Sequence, residues 1–189
     1  YRQVNLSEFS GTGEGNIFTQ LMTDSQGRLW MGGENGLLCV IPAKGTWSMN
    51  WYNANNPEYH LVHNRIRHIY EDRDHDIWIA TDASIARYDA TSHRFVYYTI
   101  KSSTGDNSNW TYGLYEDPLG RLWIITYAGD IFIVDKKDLI KNGGDKVYIA
   151  RQVCTPFNYR RDKRTLQIEP DGEGHVWLCS KTHLAMVDL

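Results

Sequence analysis

Three groups of residues have types and spacings that could do chemistry. Glu116 and Asp117, in the string EDPLGRLWI, are adjacent carboxylates beside an aromatic, the raw material of general acid and base catalysis. His60 and His63 stand at HxxH spacing with His68 nearby, the residue type that most often ligates a metal. The run YRRDKR at 159 to 164 carries an arginine pair able to grip a carboxylate or an acidic sugar.

The second and third groups have bland readings. The histidines lack an acidic or cysteine partner at ligand spacing and sit on a loop rather than a fixed helix, so a metal site is not expected. The basic run reads first as a solvated loop, and capture of an acidic group by the arginine pair is the sharper alternative. GTGEG at 11 to 15 is glycine-rich but lacks the Lys-Ser/Thr of a phosphate loop, and it reads as a connector. Neither a GxSxG elbow nor an HExxH pair occurs.

What must position these residues is a chain of 189 residues, 41% hydrophobic, with a net charge of −3. A chain of that length buries about 70% of the surface it would expose unfolded. Its charges are mixed and give no basic field for nucleic acid. No run of about 18 apolar residues offers a membrane span. The start, YRQVNLSEFS, has neither an initiator Met nor the layout of a signal peptide, and the chain is expected to be a piece of something longer. Cys39, Cys154 and Cys179 form no CxxC pair and are expected to be small buried hydrophobes.

The chain repeats itself. DSQGRLW (24 to 30), DRDHDIW (72 to 78), DPLGRLW (117 to 123) and DGEGHVW (171 to 177) share an Asp, a turn residue three later and a Trp six later. Each string is preceded by one short apolar-rich segment and followed by others, with no sustained helical period. A repeat of 40 to 50 residues with several short strands predicts an all-β β-propeller of about four four-stranded blades, an incomplete propeller or a fragment of a larger one. The blades are expected at 17–63, 64–106, 107–162 and 163–189, the last stopping after its third strand. Residues 1–16 are expected to form an N-terminal strand and connector. In the second blade the strands are predicted at 65–72, 76–81, 84–89 and 93–100, and one helical turn is predicted at 136–144, ending on a Gly cap.

The repeat gives Asp117 a structural reading. Asp24, Asp72, Asp117 and Asp171 are expected to accept backbone N–H groups at the first turn of each blade. Gly27, Gly120 and Gly174 supply its positive-φ position, with His75 standing in at the second blade. Trp30, Trp78, Trp123 and Trp177 anchor the second strand where a neighbouring blade can cover it.

With these strings in view, the pattern D-x-x-G-x-L-W-I-G-T-x-x-G-L-x-x-Y-D resembles the two-component regulator propeller repeat, over nearly all of the chain. The resemblance implies the periplasmic sensor region of a hybrid histidine kinase of the Bacteroides type, recognising an oligosaccharide, with no cofactor. The kinase and the remaining propeller are the implied partners.

On this layout the inter-blade loops and the loops joining second and third strands share one face. It carries Tyr59, Trp110, Tyr112, Tyr127, Tyr159, Arg160, Arg161 and Lys181, aromatics beside polar groups that suit a sugar. The aromatics could equally plug gaps between blades. Two function classes stay open: a ligand-binding sensor, and a structural or protein-interaction propeller without a small ligand. Pairing of two copies is a further expectation, since an unclosed arc exposes blade faces. Enzymatic activity in this segment is not expected.

Overall fold

The turn residues cut the apolar runs into short hairpins, and the computed structural model shows those hairpins stacked as blades. It describes residues 17–59, 61–102, 110–127, 130–144, 146–153, 165–180 and 182–189. The N-terminal segment, with its expected outer strand and connector, lies outside them, as do His60, Cys154, Tyr159, Arg160, Arg161 and Lys181.

The first blade is a four-stranded antiparallel meander of β1 (Phe18–Thr23), β2 (Leu29–Gly33), β3 (Gly36–Ala43) and β4 (Thr46–Tyr52). The second holds β5 (Ile66–Glu71), β6 (Ile77–Thr81), β7 (Ile85–Asp89) and β8 (Arg94–Ser102), within one or two residues of the expected strands. The third holds β9 (Thr111–Glu116), β10 (Arg121–Thr126), β11 (Ile131–Asp135), a helix α1 (Lys136–Asn142) and β12 (Lys146–Val153). The fourth has three strands, β13 (Thr165–Pro170), β14 (His175–Ser180) and β15 (Leu184–Asp188).

Apolar layers between consecutive blades form the core. Trp30, Leu37 and Tyr52 of the first blade meet Ile66, Ile79, Tyr88 and Phe95 of the second. Trp78, Ile85 and Tyr98 of the second meet Leu114, Ile124 and Phe132 of the third. Trp123 and Ile131 of the third meet Val176 and Leu178 of the fourth. Trp30, Trp78 and Trp123 thus pack against the following blade, and burying such a side chain contributes about 2 kcal/mol or more. Gly32 lets the first two blades close: a Cβ there would lie 2.6 Å from Ile66 Cγ2.

Blades two and three depart from the expected separate sheets. The first half of β12 runs parallel to β8, pairing Lys146 with Tyr98 through Ala150 with Ser102. Its second half pairs antiparallel with β11. The two blades therefore form one eight-stranded sheet, joined along their outer edges. Helix α1 makes this crossing, capped by the Asp135 carboxylate on the N–H groups of Lys137 and Asp138 and ended by Gly143 at φ 76°. The cysteines split: Cys39 is buried, with its thiol pushed up to about 12 by burial, whereas Cys179 is exposed. The expectation of burial fails at Cys179 because it faces the uncovered side of the last blade.

Candidate functional site

Each blade has two ends at which its innermost strand meets a loop. At one end sits the repeated Asp. Asp117 Oδ1 accepts the backbone N–H groups of Leu119 and Arg121 at 2.9 and 3.0 Å, while Oδ2 accepts Trp123 Nε1–H at 2.8 Å and Arg121 Nε–H at 2.6 Å. Asp24 repeats this with Gln26, Arg28 and Trp30. Burial alone would raise the pKa of both carboxyls, but the indole and arginine donors outweigh it and hold them below the usual range. The turn closes through Gly27, His75, Gly120 and Gly174, all at positive φ, as the spacing predicted.

The second corner differs in one atom's partner. Where Arg28 and Arg121 stand four residues after their Asp, the second blade has Asp76, so no cation is available locally. Lys136 supplies it from the third blade: its Nζ lies 2.9 Å from Asp72, 2.6 Å from Asp74 and 2.8 Å from Glu116. At the second and third corners the residue before the Asp also links blades. Glu71 accepts Ser25 N–H at 2.8 Å, and Glu116 accepts Arg73 N–H at 2.9 Å. The carboxylates at 116 and 117 are therefore fully engaged in joining strands and blades, and neither is free to act on a substrate.

The opposite end is built differently. Each innermost strand carries a β-bulge near its start, with the extra residue at Thr19, Arg67, Tyr112 and Leu166. Each lies five residues before its corner Asp. A bulge breaks the alternation of side chains and re-aims the extra one. Here Arg67 and His68, and likewise Tyr112 and Gly113, border the same cleft although they are sequence neighbours.

That cleft, of about 540 Å³, runs along the axis between the innermost strands of all four blades and includes Gln20, Tyr70 and Gln167. His68 Nδ1 accepts Leu114 N–H across the blade boundary at 3.2 Å, and burial lowers its pKa, so the ring is neutral with its proton on Nε2. Arg67 is clamped by Asp82, Nε to Oδ1 at 2.6 Å and Nη2 to Oδ2 at 3.0 Å. The loop carrying Asp82 is fixed in turn: Thr81 Oγ1 binds Ser84 within it, and Thr111 of the next blade donates to it.

Of the residues expected to bind ligand, the structure brings three together. Trp110 and Tyr127 stand 5.4 Å apart at 70°, tied by Tyr127 N–H to Trp110 C=O at 2.7 Å, and the Tyr112 ring lies 6.4 Å from Tyr127. Trp110 is 52% and Tyr127 38% exposed. Tyr59 lies elsewhere. Its ring packs on Tyr52 at 4.8 Å, and its carbonyl accepts Phe95 N–H from the outermost strand of the second blade. The loop there folds down the blade boundary, and Tyr59 fills that gap.

His63 Nδ1 accepts Arg65 N–H, an ordinary loop contact. Sequence reasoning passed over Gln20, His68 and Gln167 as cleft residues. Their signal was polar residues inside otherwise apolar innermost strands.

The profile of the two component regulator propeller matches residues 12–35, 60–83 and 105–128, three copies of the segment that runs from loop through bulge and corner. The chain is built from that family's repeat. Among solved structures, this propeller segment is similar to the extracellular domain of BT4673 from B. thetaiotaomicron, described as a one component system in one structure and as a hybrid two component system in another. The identities are 41% and 42%, with TM-scores of 0.85 and 0.83 over 100% and 96% of the chain. The extracellular domain of the hybrid two component system BT3049 from the same organism shares the fold, at 18% identity and a TM-score of 0.62 over 92% of the chain. The segment covers 26%, 25% and 23% of those three chains, about a quarter of each. Comparison with curated protein sequences gave no match. Among the described residues no helix is long and apolar enough to cross a membrane.

Proposed function

We propose that this segment is part of the periplasmic sensor region of a hybrid two-component receptor, that it recognises an extracellular oligosaccharide, and that occupancy biases the equilibrium of an attached histidine kinase. One observation carries the ligand class: the open platform of Trp110, Tyr112 and Tyr127 beside a polar axial cleft. Sugar C–H faces stack on such rings while hydroxyls take directional hydrogen bonds from amides, phenols and imidazole. Relatives that are extracellular domains of such systems support the cellular setting. No bond is made or broken on this reading, because the carboxylates of the corners are consumed by the fold.

Calorimetric titration with neutral and acidic oligosaccharides tests it. A saturable signal lost in Trp110→Ala is expected, and a flat response across the panel would sink it. A protein-interaction propeller is the second reading, favoured by the exposed Trp177, Leu184 and Met186 on the last blade. It predicts flat calorimetry together with association, of two copies or with another protein, that Trp177→Ser weakens in light scattering.

A further inference from the structure

The four bulges form a set. They occur at one position of the repeat in every blade, yet the residue type there differs each time, Thr19, Arg67, Tyr112 and Leu166, and two of the four, Arg67 and Tyr112, line the axial cleft. The corner five residues on shows the reverse, with Asp in all four copies. A backbone device that is kept while its side chain varies is how a repeat scaffold separates holding from reading. From this we infer that the bulge residues lining the cleft, Arg67 and Tyr112, are specificity-determining positions of the sensor and read an uncharged saccharide unit there. The inference rests on the oligosaccharide reading above.

The chemistry of the two side chains fixes the class. Tyr112 belongs at once to the aromatic platform and to the cleft, so it stands where a chain stacked on Trp110 and Tyr127 would turn inward. Arg67 spends Nε and Nη2 on Asp82, and Nη1 has no hydrogen-bond partner among the described residues. Its charge is neutralised by that carboxylate, while its remaining N–H groups stay in a rigid fork suited to adjacent hydroxyls. Arg65, the neighbouring cation, is shared between Glu34 and Asp82. Among the described residues the cleft lining then offers a ligand carboxylate no unneutralised cation, and it includes the exposed Glu169. His68, neutral, adds a donor rather than a charge.

The test titrates the intact chain with neutral xylo-, manno- and malto-oligosaccharides and with galacturonides. Three variants accompany it: Tyr112→Ala, the double variant Arg67→Gln/Asp82→Asn, and Leu119→Ala on the opposite face as a control. The double variant removes the ion pair as a unit, so no buried partner is left unpaired, and thermal melting checks that each variant is folded. The expected result is binding of a neutral oligosaccharide, an affinity loss of at least tenfold in Tyr112→Ala, and a changed ranking of the neutral sugars in the double variant. Leu119→Ala should match the parent. Binding by the parent with the ranking and affinity unchanged in both variants overturns the assignment and leaves the sensor reading standing. Preference for galacturonides overturns the uncharged class. Binding of no sugar at all overturns both readings together.

Discussion

The first three corners of the repeat and the fourth have the same Asp and the same Trp, and they do not make the same structure. In the first three, Trp Nε1–H reaches the Asp carboxylate at 2.8 Å and the indole is at most 1% exposed. In the fourth, His175 Nδ1 takes the place at Asp171 Oδ2 at 2.7 Å, and Trp177 is 37% exposed. The boundary between the third and fourth blades also lacks the Glu link. Pro118 has no N–H to donate and Pro170 no carboxylate to accept, so both halves are missing at once. The Asp–Trp pair is thus not a self-sufficient motif. It closes fully only where another blade covers the Trp and excludes water.

Removing Lys136 should produce the largest effect on this contrast. Lys136→Met leaves Asp72, Asp74 and Glu116 facing one another without their cation, and a loss of about 3–5 kcal/mol is expected by chemical denaturation. Adding Asp76→Arg, which restores the local cation of the other corners, should recover at least about 1 kcal/mol. Failure of that rescue would show that the three carboxylates are not a shared site.

Next in size, Asp117→Ala should cost about 3 kcal/mol, because a buried, fully hydrogen-bonded carboxylate is lost. Asp171→Ala should cost clearly less, as for the loss of an exposed cap. Equal losses would break the comparison. Installing the missing link with Pro118→Ser and Pro170→Glu should add about 1 kcal/mol, seen as a higher melting temperature.

The smallest effect is a pH dependence confined to the last blade. The Asp171 carboxylate raises the His175 pKa above its ordinary 6.5, so the interaction is fully present below that value and is lost as pH rises through the folded pKa. Hydrogen exchange at the amides of Glu173 and His175 should lose protection as pH rises above 6.5 and the imidazole gives up its charge. The corners of Asp24 and Asp117, whose pKa values are lowered, should instead hold throughout that rise and weaken only in acid, as pH falls below the usual carboxylate value.

What could be read from the sequence was what is local. The corner turn, its positive-φ residue and the helix ending on Gly143 follow from residues within a few positions of one another, and they appear where the spacing placed them. The bulges are a property of pairing between two strands, and nothing in Arg67 or Tyr112 alone marks them as the extra residue. Trp110, Tyr112 and Tyr127 were legible as one cluster because the blade alternation brings both loops to one face. Tyr59 was not, since its long loop folds along the blade boundary under the pull of Tyr52 and the core behind it. Lys136 reads as an ordinary surface lysine at a helix start, and only the missing arginine at position 76 hinted that a cation had to come from elsewhere.

The crossing strand β12 bears on how the chain is made as well as on how it stands. After the ribosome has released Ser102, the rim of the second blade stays unpaired until Lys146–Ala150 is synthesised. At roughly 5–20 residues per second that wait is about 2–10 s. Through that interval Tyr98 to Ser102 is an open sheet edge, available to any passing strand. The second blade therefore cannot mature on its own during translation, and it is completed only by a piece of the third.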